Sequence, residues 1–215
     1  MEDGPLSGES MTNPTNIDTL AGTTSTPNGF GPIRLAEARD LAPLSILKLT
    51  CFRETFGPTG FNITYPPADL IRFEEEAYGH AKIADELADP EHRTWVVEDA
   101  DGRLVAYAHA GPCKLPHPWV EDDDLELCQL YLLRDVQGMG LGKQLLDHVL
   151  GLMENAGPGA LWLGVWQGNL KAQHVYAGRG FKVVGDYRFS VGNWHDEEFI
   201  MRRGLMPRVI DSIAG

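Results

Sequence analysis

Apolar positions fall into regular patterns only from about residue 31 onward. Residues 1 to 30 are rich in Gly, Ser, Thr, Pro and Asn, carry four acids (Glu2, Asp3, Glu9, Asp18) and no base, and show no hydrophobic period. Such a segment cannot bury enough apolar surface to offset chain entropy, so a disordered tail is expected. Pro32 to Glu37 reads as a first strand. Leu41, Leu44, Ile46, Leu47, Leu49 and Phe52 spread apolar positions over a helix ending near Gly57. Residues 57–67 form a loop, and Pro67, a residue that fits a first helical turn, opens a second helix. Glu74, Glu75 and Glu76 are read as its solvated face. Trp95 to Glu98 and Leu104 to Ala110 are strands joined by Asp101-Gly102, a hairpin signal. A Pro- and acid-rich loop then leads to a strand from Leu125 to Leu133. Leu141, Leu145, Val149 and Leu152 form one stripe of a helix from Leu141 to Met153. Leu161 to Val165 is a short buried strand, and Asn169 to Arg179 a helix closed by Gly180. Phe181 to Val191 and Glu198 to Arg203 make a last hairpin around Gly192-Asn193, with 206–215 as a C-terminal tail.

The order β-α-α-β-β-β-α-β-α-β-β predicts an α/β domain over residues 31–205. Its twisted sheet is mostly antiparallel with local parallel pairing, flanked by helices. A chain of 215 residues, 43% hydrophobic and 23% charged, suits one such domain. No apolar run approaches the ~20 residues of a membrane helix. The N-terminus lacks the basic start and apolar stretch of a secretory signal. Cys51, Cys113 and Cys128 cannot all pair and match no zinc spacing, so a reducing cytoplasm and no metal are expected. The net charge of −13 repels a phosphate backbone and argues against nucleic acid. It suits a cationic partner such as an amine, although acidity by itself is more simply read as a solubility charge. Exposed strand edges leave a homodimer open.

Between the long strand and the next helix lies Gln137-Gly138-Met139-Gly140-Leu141-Gly142-Lys143. Glycines there let the backbone turn tightly and approach a ligand. Free N–H groups and the positive end of the helix dipole suit a phosphate or pyrophosphate, with Lys143 adding a cation. A P-loop is excluded: Gly138 lies three residues before Gly142, and Gln144 stands where Ser or Thr is required. The dinucleotide fingerprint fails as well, since Lys143 occupies its third glycine position.

Gln137-Gly138-Met139-Gly140-Leu141-Gly142 resembles the Gln/Arg-x-x-Gly-x-Gly/Ala signature of the GNAT family of N-acetyltransferases, matching it at every fixed position. The resemblance implies that backbone amides from Gly138, Met139, Gly140, Leu141, Gly142 and Lys143 cradle the pyrophosphate of coenzyme A. Upstream, Glu126 to Leu132 resembles the family's fourth strand, which bulges and splays so that Leu130, Tyr131 and Leu132 meet the pantetheine arm. Downstream, residues 161–166 with Asn169, Ala172, Tyr176 and Gly180-Phe181 are similar to the fifth strand and following helix. Glu54-Thr55-Phe56-Gly57 and residues 65–70 resemble the branch that includes bacterial spermidine/spermine acetyltransferases.

The resemblance implies acetyl transfer from acetyl-CoA to a primary amine, a small amine or polyamine first, a protein N-terminus or lysine second. A non-catalytic acyl-CoA-binding module is the alternative from another class. Tyr176 is the expected acid for the departing thiolate, since a phenol is protonated at neutral pH; a packed aromatic is the plain alternative. Asn169 is expected to bind the cofactor, or to cap its helix. Backbone N–H near Leu130 or Leu132 is the expected donor to the carbonyl oxygen. Some relatives carry a glutamate where this chain has Gly164, which leaves Glu126 as the candidate base, equally readable as a structural carboxylate; His174 and His195 are outside choices. The acceptor is expected between residues 57–66 and 193–197, where Tyr65, Trp166, Trp194, His195 and Asp196 offer aromatic and acidic groups. Residues 121–124 are expected to add long-range attraction.

Overall fold

The computed structural model describes residues 24–26 and 29–205. Residues 1–23 and 27–28 of the expected tail over 1–30, and the expected tail over 206–215, lie outside the described residues. Thr24 pairs with Ile33 and Phe30 with Asp99, so the chain meets the sheet before residue 31. The elements follow as β1 (Arg34–Leu35), α1 (Leu41–Phe56), α2 (Pro67–Tyr78), α3 (His80–Ala88), β2 (Arg93–Glu98), β3 (Leu104–Pro112), β4 (Leu125–Leu132), α4 (Leu141–Ala156), β5 (Ala160–Trp166), α5 (Leu170–Ala177), β6 (Lys182–Val191) and β7 (Trp194–Gly204). They form an α/β fold on one sheet, ordered β1-β2-β3-β4-β5-β7-β6. Every pairing is antiparallel except β4 with β5. The mixed, mostly antiparallel sheet expected from the sequence is therefore the one observed.

Three departures have physical causes. The second helix divides at Gly79, whose extended backbone (ψ 154°) still donates to Glu75 O. A Cβ at that position would lie 2.4 Å from the Glu75 carbonyl oxygen, so the sharp break requires glycine. The first strand shrinks to two residues, with Arg34 pairing there with the buried Asp40 and with Glu98. The last strand begins at Trp194, four residues before the expected Glu198, because Gly192 (φ +61°) turns the chain tightly enough for pairing to resume at once.

Successive residues of a strand point to opposite faces. Leu132 lies against α4, close to Gly142. Tyr131 stacks on Tyr107, over whose ring the Lys48 ammonium of α1 sits. Helices α1 and α4 therefore cover opposite faces of the sheet. Leu141, Leu145 and Val149 of the α4 stripe are fully buried, each contributing on the order of 1.5–3 kcal/mol. That seating fixes the start of α4, and so the glycine turn, relative to β4. Among the described residues no helix is long and apolar enough to cross a membrane.

Candidate active site

The site begins with a fault in the sheet. Cys128 is an extra residue in β4, since His109 pairs with Gln129 and Ala110 with Leu127. Strands β4 and β5 pair only at Leu125–Leu161 and Glu126–Trp162, then part. Beyond the bulge the Leu133 N–H donates to Val105 O at 2.9 Å. Backbone groups alternate sides along a strand, so the N–H groups of Leu132 and Leu130 face the parted edge. One cavity of about 1020 Å³ occupies the gap, lined by residues of β4, β5, β7, α1, α5 and the glycine turn.

At one end of the cavity, Gln137 Nε2 donates to Leu132 O at 3.1 Å, tying the turn to the strand end. Gly138 (φ +82°) and Gly140 (φ +86°) are left-handed, and an added Cβ at either would meet no atom within 4 Å. Glycine is therefore required there for conformation, which costs other residues roughly 1–2 kcal/mol each. Gly142 serves differently: its Cβ would lie 3.2 Å from a Leu132 methyl, so its role is close approach of helix to strand. Gly140 is the N-cap of α4 and supplies no side-chain cap, leaving the first helical N–H groups to the cavity. Lys143 is exposed in the first turn and lines the same space, while Met139 projects outward, half exposed.

Helix α5 supplies the facing wall. Asn169 caps it, Oδ1 accepting from Ala172 N at 3.0 Å, and also lines the cavity. Tyr176 lies two turns later, edge-on to Phe181 with ring centres 6.2 Å apart. Burial pushes its phenol up to about 12, with Arg179 pulling the other way, so the proton stays on. Lys171 and Arg179 complete a cationic rim on this wall.

The opposite end is aromatic and acidic. Phe52 stacks or tilts on Phe56, Tyr65, Phe73 and Tyr78 at 5.2–5.9 Å, and Trp166 meets Phe61 at 4.5 Å. Five carboxylates line the cavity, each held differently; Glu54 accepts from the Arg134 backbone N–H at 2.8 Å. Glu86 is paired with the buried Lys48. Asp196 accepts from Tyr65 Oη at 2.6 Å and Trp194 Nε1 at 2.9 Å. Glu126 accepts from the Lys114 backbone N–H at 3.0 Å, and burial raises its carboxyl above the usual range. Glu198 accepts from Tyr187 Oη at 2.6 Å. Burial raises its carboxyl to about 7; the Tyr187 hydrogen bond opposes this, while Asp196 and Glu126 add to it.

Residues 59–181 match the model of the acetyltransferase (GNAT) family. The chain belongs to the GNAT acetyltransferase family. An uncharacterized N-acetyltransferase of Mycobacterium tuberculosis is 34% identical over 150 residues, 68% of this chain and 91% of the relative. Streptothricin acetyltransferase of Streptomyces lavendulae is 29% identical over 153 residues, 70% of this chain and 78% of the relative. The fold also matches the PaiA N-acetyltransferase of Thermoplasma acidophilum, solved in complex with coenzyme A, with a TM-score of 0.61 at 20% identity over 82% of this chain and 99% of that one. This GNAT protein is an acetyl-CoA-dependent N-acetyltransferase.

Of the residues singled out in the sequence of this GNAT enzyme, Glu126, Leu130, Tyr131, Leu132, Gly138, Gly140, Gly142, Lys143, Asn169 and Tyr176 line one cavity. His174 and His195 do not; both are exposed, and His195 Nδ1 lies 3.2 Å from Ser190 Oγ. Residues 121–124 do not act as one outward patch. Asp124 is buried and accepts from Trp162 Nε1 at 2.7 Å, which makes it a core anchor. Glu74 is paired with Arg53. Sequence reasoning missed Glu198, Tyr187, Phe56 and Phe61. The available signal for Glu198 was the alternation Asp196, Glu198, Ile200 on one strand face, hidden when the strand is taken to begin at Glu198.

Proposed function

We propose that this enzyme acetylates a small cationic amine by direct attack within a ternary complex. The observation that carries the reading is the cavity itself, which joins the glycine turn to an aromatic chamber through the parted strands. Acetyl-CoA supplies the activated thioester. The residues present suit it: uncapped N–H groups at the start of α4, Lys143 and an open turn at Gly138 and Gly140 offer an anion cradle. Met139 and Leu141 contribute through their backbone, and Asn169 borders the same space from α5. Leu130, Tyr131 and Leu132 present backbone to the gap, with the N–H of Leu130 and Leu132 aimed to hydrogen-bond the carbonyl oxygen as charge develops there. The Tyr176 phenol, protonated and without a hydrogen-bond partner among the described residues, donates its proton to the departing sulfur. Glu126 adds a carboxylate on the acceptor side of the gap.

Aromatic faces and carboxylates together favour an ammonium whose body is apolar. The net charge of −13 adds attraction at long range. Among the relatives described, the named acceptor is streptothricin and no spermidine or spermine name occurs, so the acceptor class is a small amine, with polyamines one member of it. Titration calorimetry with acetyl-CoA, with ATP and NADH as controls, tests the co-substrate. A thiol-release screen over polyamines, amine antibiotics and lysine peptides tests the acceptor. Selective acetyl-CoA binding with turnover on small amines is expected. Turnover on peptides alone would overturn the acceptor class, and binding without turnover would leave a regulatory module.

A further inference from the structure

Strand β5 has no side chain at the place where the sheet parts. Gly164 lies two residues past Trp162, the last β5 residue paired with β4. A Cβ built on Gly164 would fall 2.8 Å from Glu198 Oε2 and 2.6 Å from Tyr187 Oη. Glu198 is paired in register with Trp166, yet its carboxylate reaches back over Gly164. It therefore hangs over the mouth of the gap, on the aromatic side marked by Trp166 and Phe61. One oxygen takes the Tyr187 hydroxyl, Oε1 accepts nothing from the described residues, and the residue lines the cavity.

We propose that Glu198 takes the proton from the acceptor ammonium, aimed by Tyr187 and admitted to the gap by the bare backbone at Gly164. The proposal rests on the acetyl-transfer reading above and names the proton acceptor within it. Glu198 accepts one N–H proton, and the freed lone pair forms the N–C bond at the thioester carbonyl. Collapse breaks the C–S bond, and the thiolate takes the Tyr176 proton. The amide nitrogen returns its extra proton to the Tyr176 phenolate, and Glu198 releases its own proton to water, so one proton leaves per turnover. The groups facing Glu198 are Glu126 and Tyr131 from β4, Tyr187 from β6, Asp196 on its own strand and Tyr65 from the loop before α2. The phenols are protonated, so burial, with the charges of Asp196 and Glu126 adding to it, holds the Glu198 carboxyl near neutrality, where a general base works best. Glu126 then acts through Glu198, by its charge.

The test compares the wild type with Glu198→Gln and Tyr187→Phe as purified full chains, assayed by thiol release from acetyl-CoA with spermidine, 1,4-diaminobutane and phenethylamine from pH 5.5 to 9.5. The glutamine keeps the Tyr187 hydrogen bond, and acetyl-CoA calorimetry on each variant reports an intact fold. Glu198→Gln is expected to lower kcat about 10²-fold or more at pH 7. The wild-type acid limb near pH 7 should vanish from this variant, leaving a rise that follows the amine's own ionisation. Tyr187→Phe removes a hydrogen bond that favours the carboxylate, so its acid limb should move to higher pH with acetyl-CoA affinity unchanged. A Glu198→Gln enzyme that keeps kcat within twofold and keeps its acid limb would overturn the proposal. So would one in which only the amine KM rises, since Glu198 would then be a binding anion. If the wild type acetylates no amine of any class, the functional reading falls first and this proposal with it.

Discussion

The two ends of the cavity are built by opposite means. The proposed co-substrate end is seven consecutive residues, 137–143, built mainly of glycines and backbone N–H groups, with Lys143 adding a cation and Gln137 tying the turn to its strand. The proposed acceptor end draws Phe52 and Phe56 from α1, Tyr65 from a loop, Trp166 from β5 and Asp196 and Glu198 from β7. Tyr65 and Asp196, which share a hydrogen bond, are 131 residues apart. A ligand common to a whole family can be met by a contiguous backbone device. An acceptor particular to one enzyme is met by side chains that only the fold assembles, and these can change one at a time.

Substitutions that separate the two ends sharpen this contrast. The largest effect is expected where they meet. Tyr176→Phe should lower kcat about 10²-fold or more while calorimetric acetyl-CoA affinity stays put; unchanged turnover would remove Tyr176 from the chemistry. Gly140→Asp should weaken acetyl-CoA binding at least tenfold, about 1.4 kcal/mol. It forces a side chain into a left-handed position and sets a like charge beside the pyrophosphate; equal affinity would misplace the anion cradle. Asp196→Asn is the mildest, because the amide oxygen can still accept a hydrogen bond. The amine KM should rise about tenfold with acetyl-CoA affinity unaltered, as read from paired titrations. A shift in acetyl-CoA affinity instead would mean that the two ends are not separable.

The same contrast explains what could be read in the sequence. The turn, the capping Asn169 and the Tyr176 spacing are local patterns, so they survive without a fold. The helix stripe of α4 and the Gly192 turn were legible for the same reason. The break at Gly79 was not, because a glycine between two helical stretches reads as a tolerated defect until the Glu75 carbonyl is seen 2.4 Å from its missing Cβ. Glu198 was hidden more deeply. Its reach over Gly164 depends on two strands from distant parts of the chain lying side by side, and no spacing along the sequence encodes that.

The parted strands have one more consequence. The halves β1–β4 and β5–β7–β6 share a seam of two residue pairs, so the sheet is weakly joined at its centre. A co-substrate lodged along the open edge of β4, as proposed, would supply the missing rungs, and its binding free energy would become folding free energy. At a hundredfold excess over its Kd that linkage amounts to about 2.7 kcal/mol. Resistance to proteolysis would then rise and fall with acetyl-CoA supply, so that the lifetime of the protein reports on the metabolite it consumes.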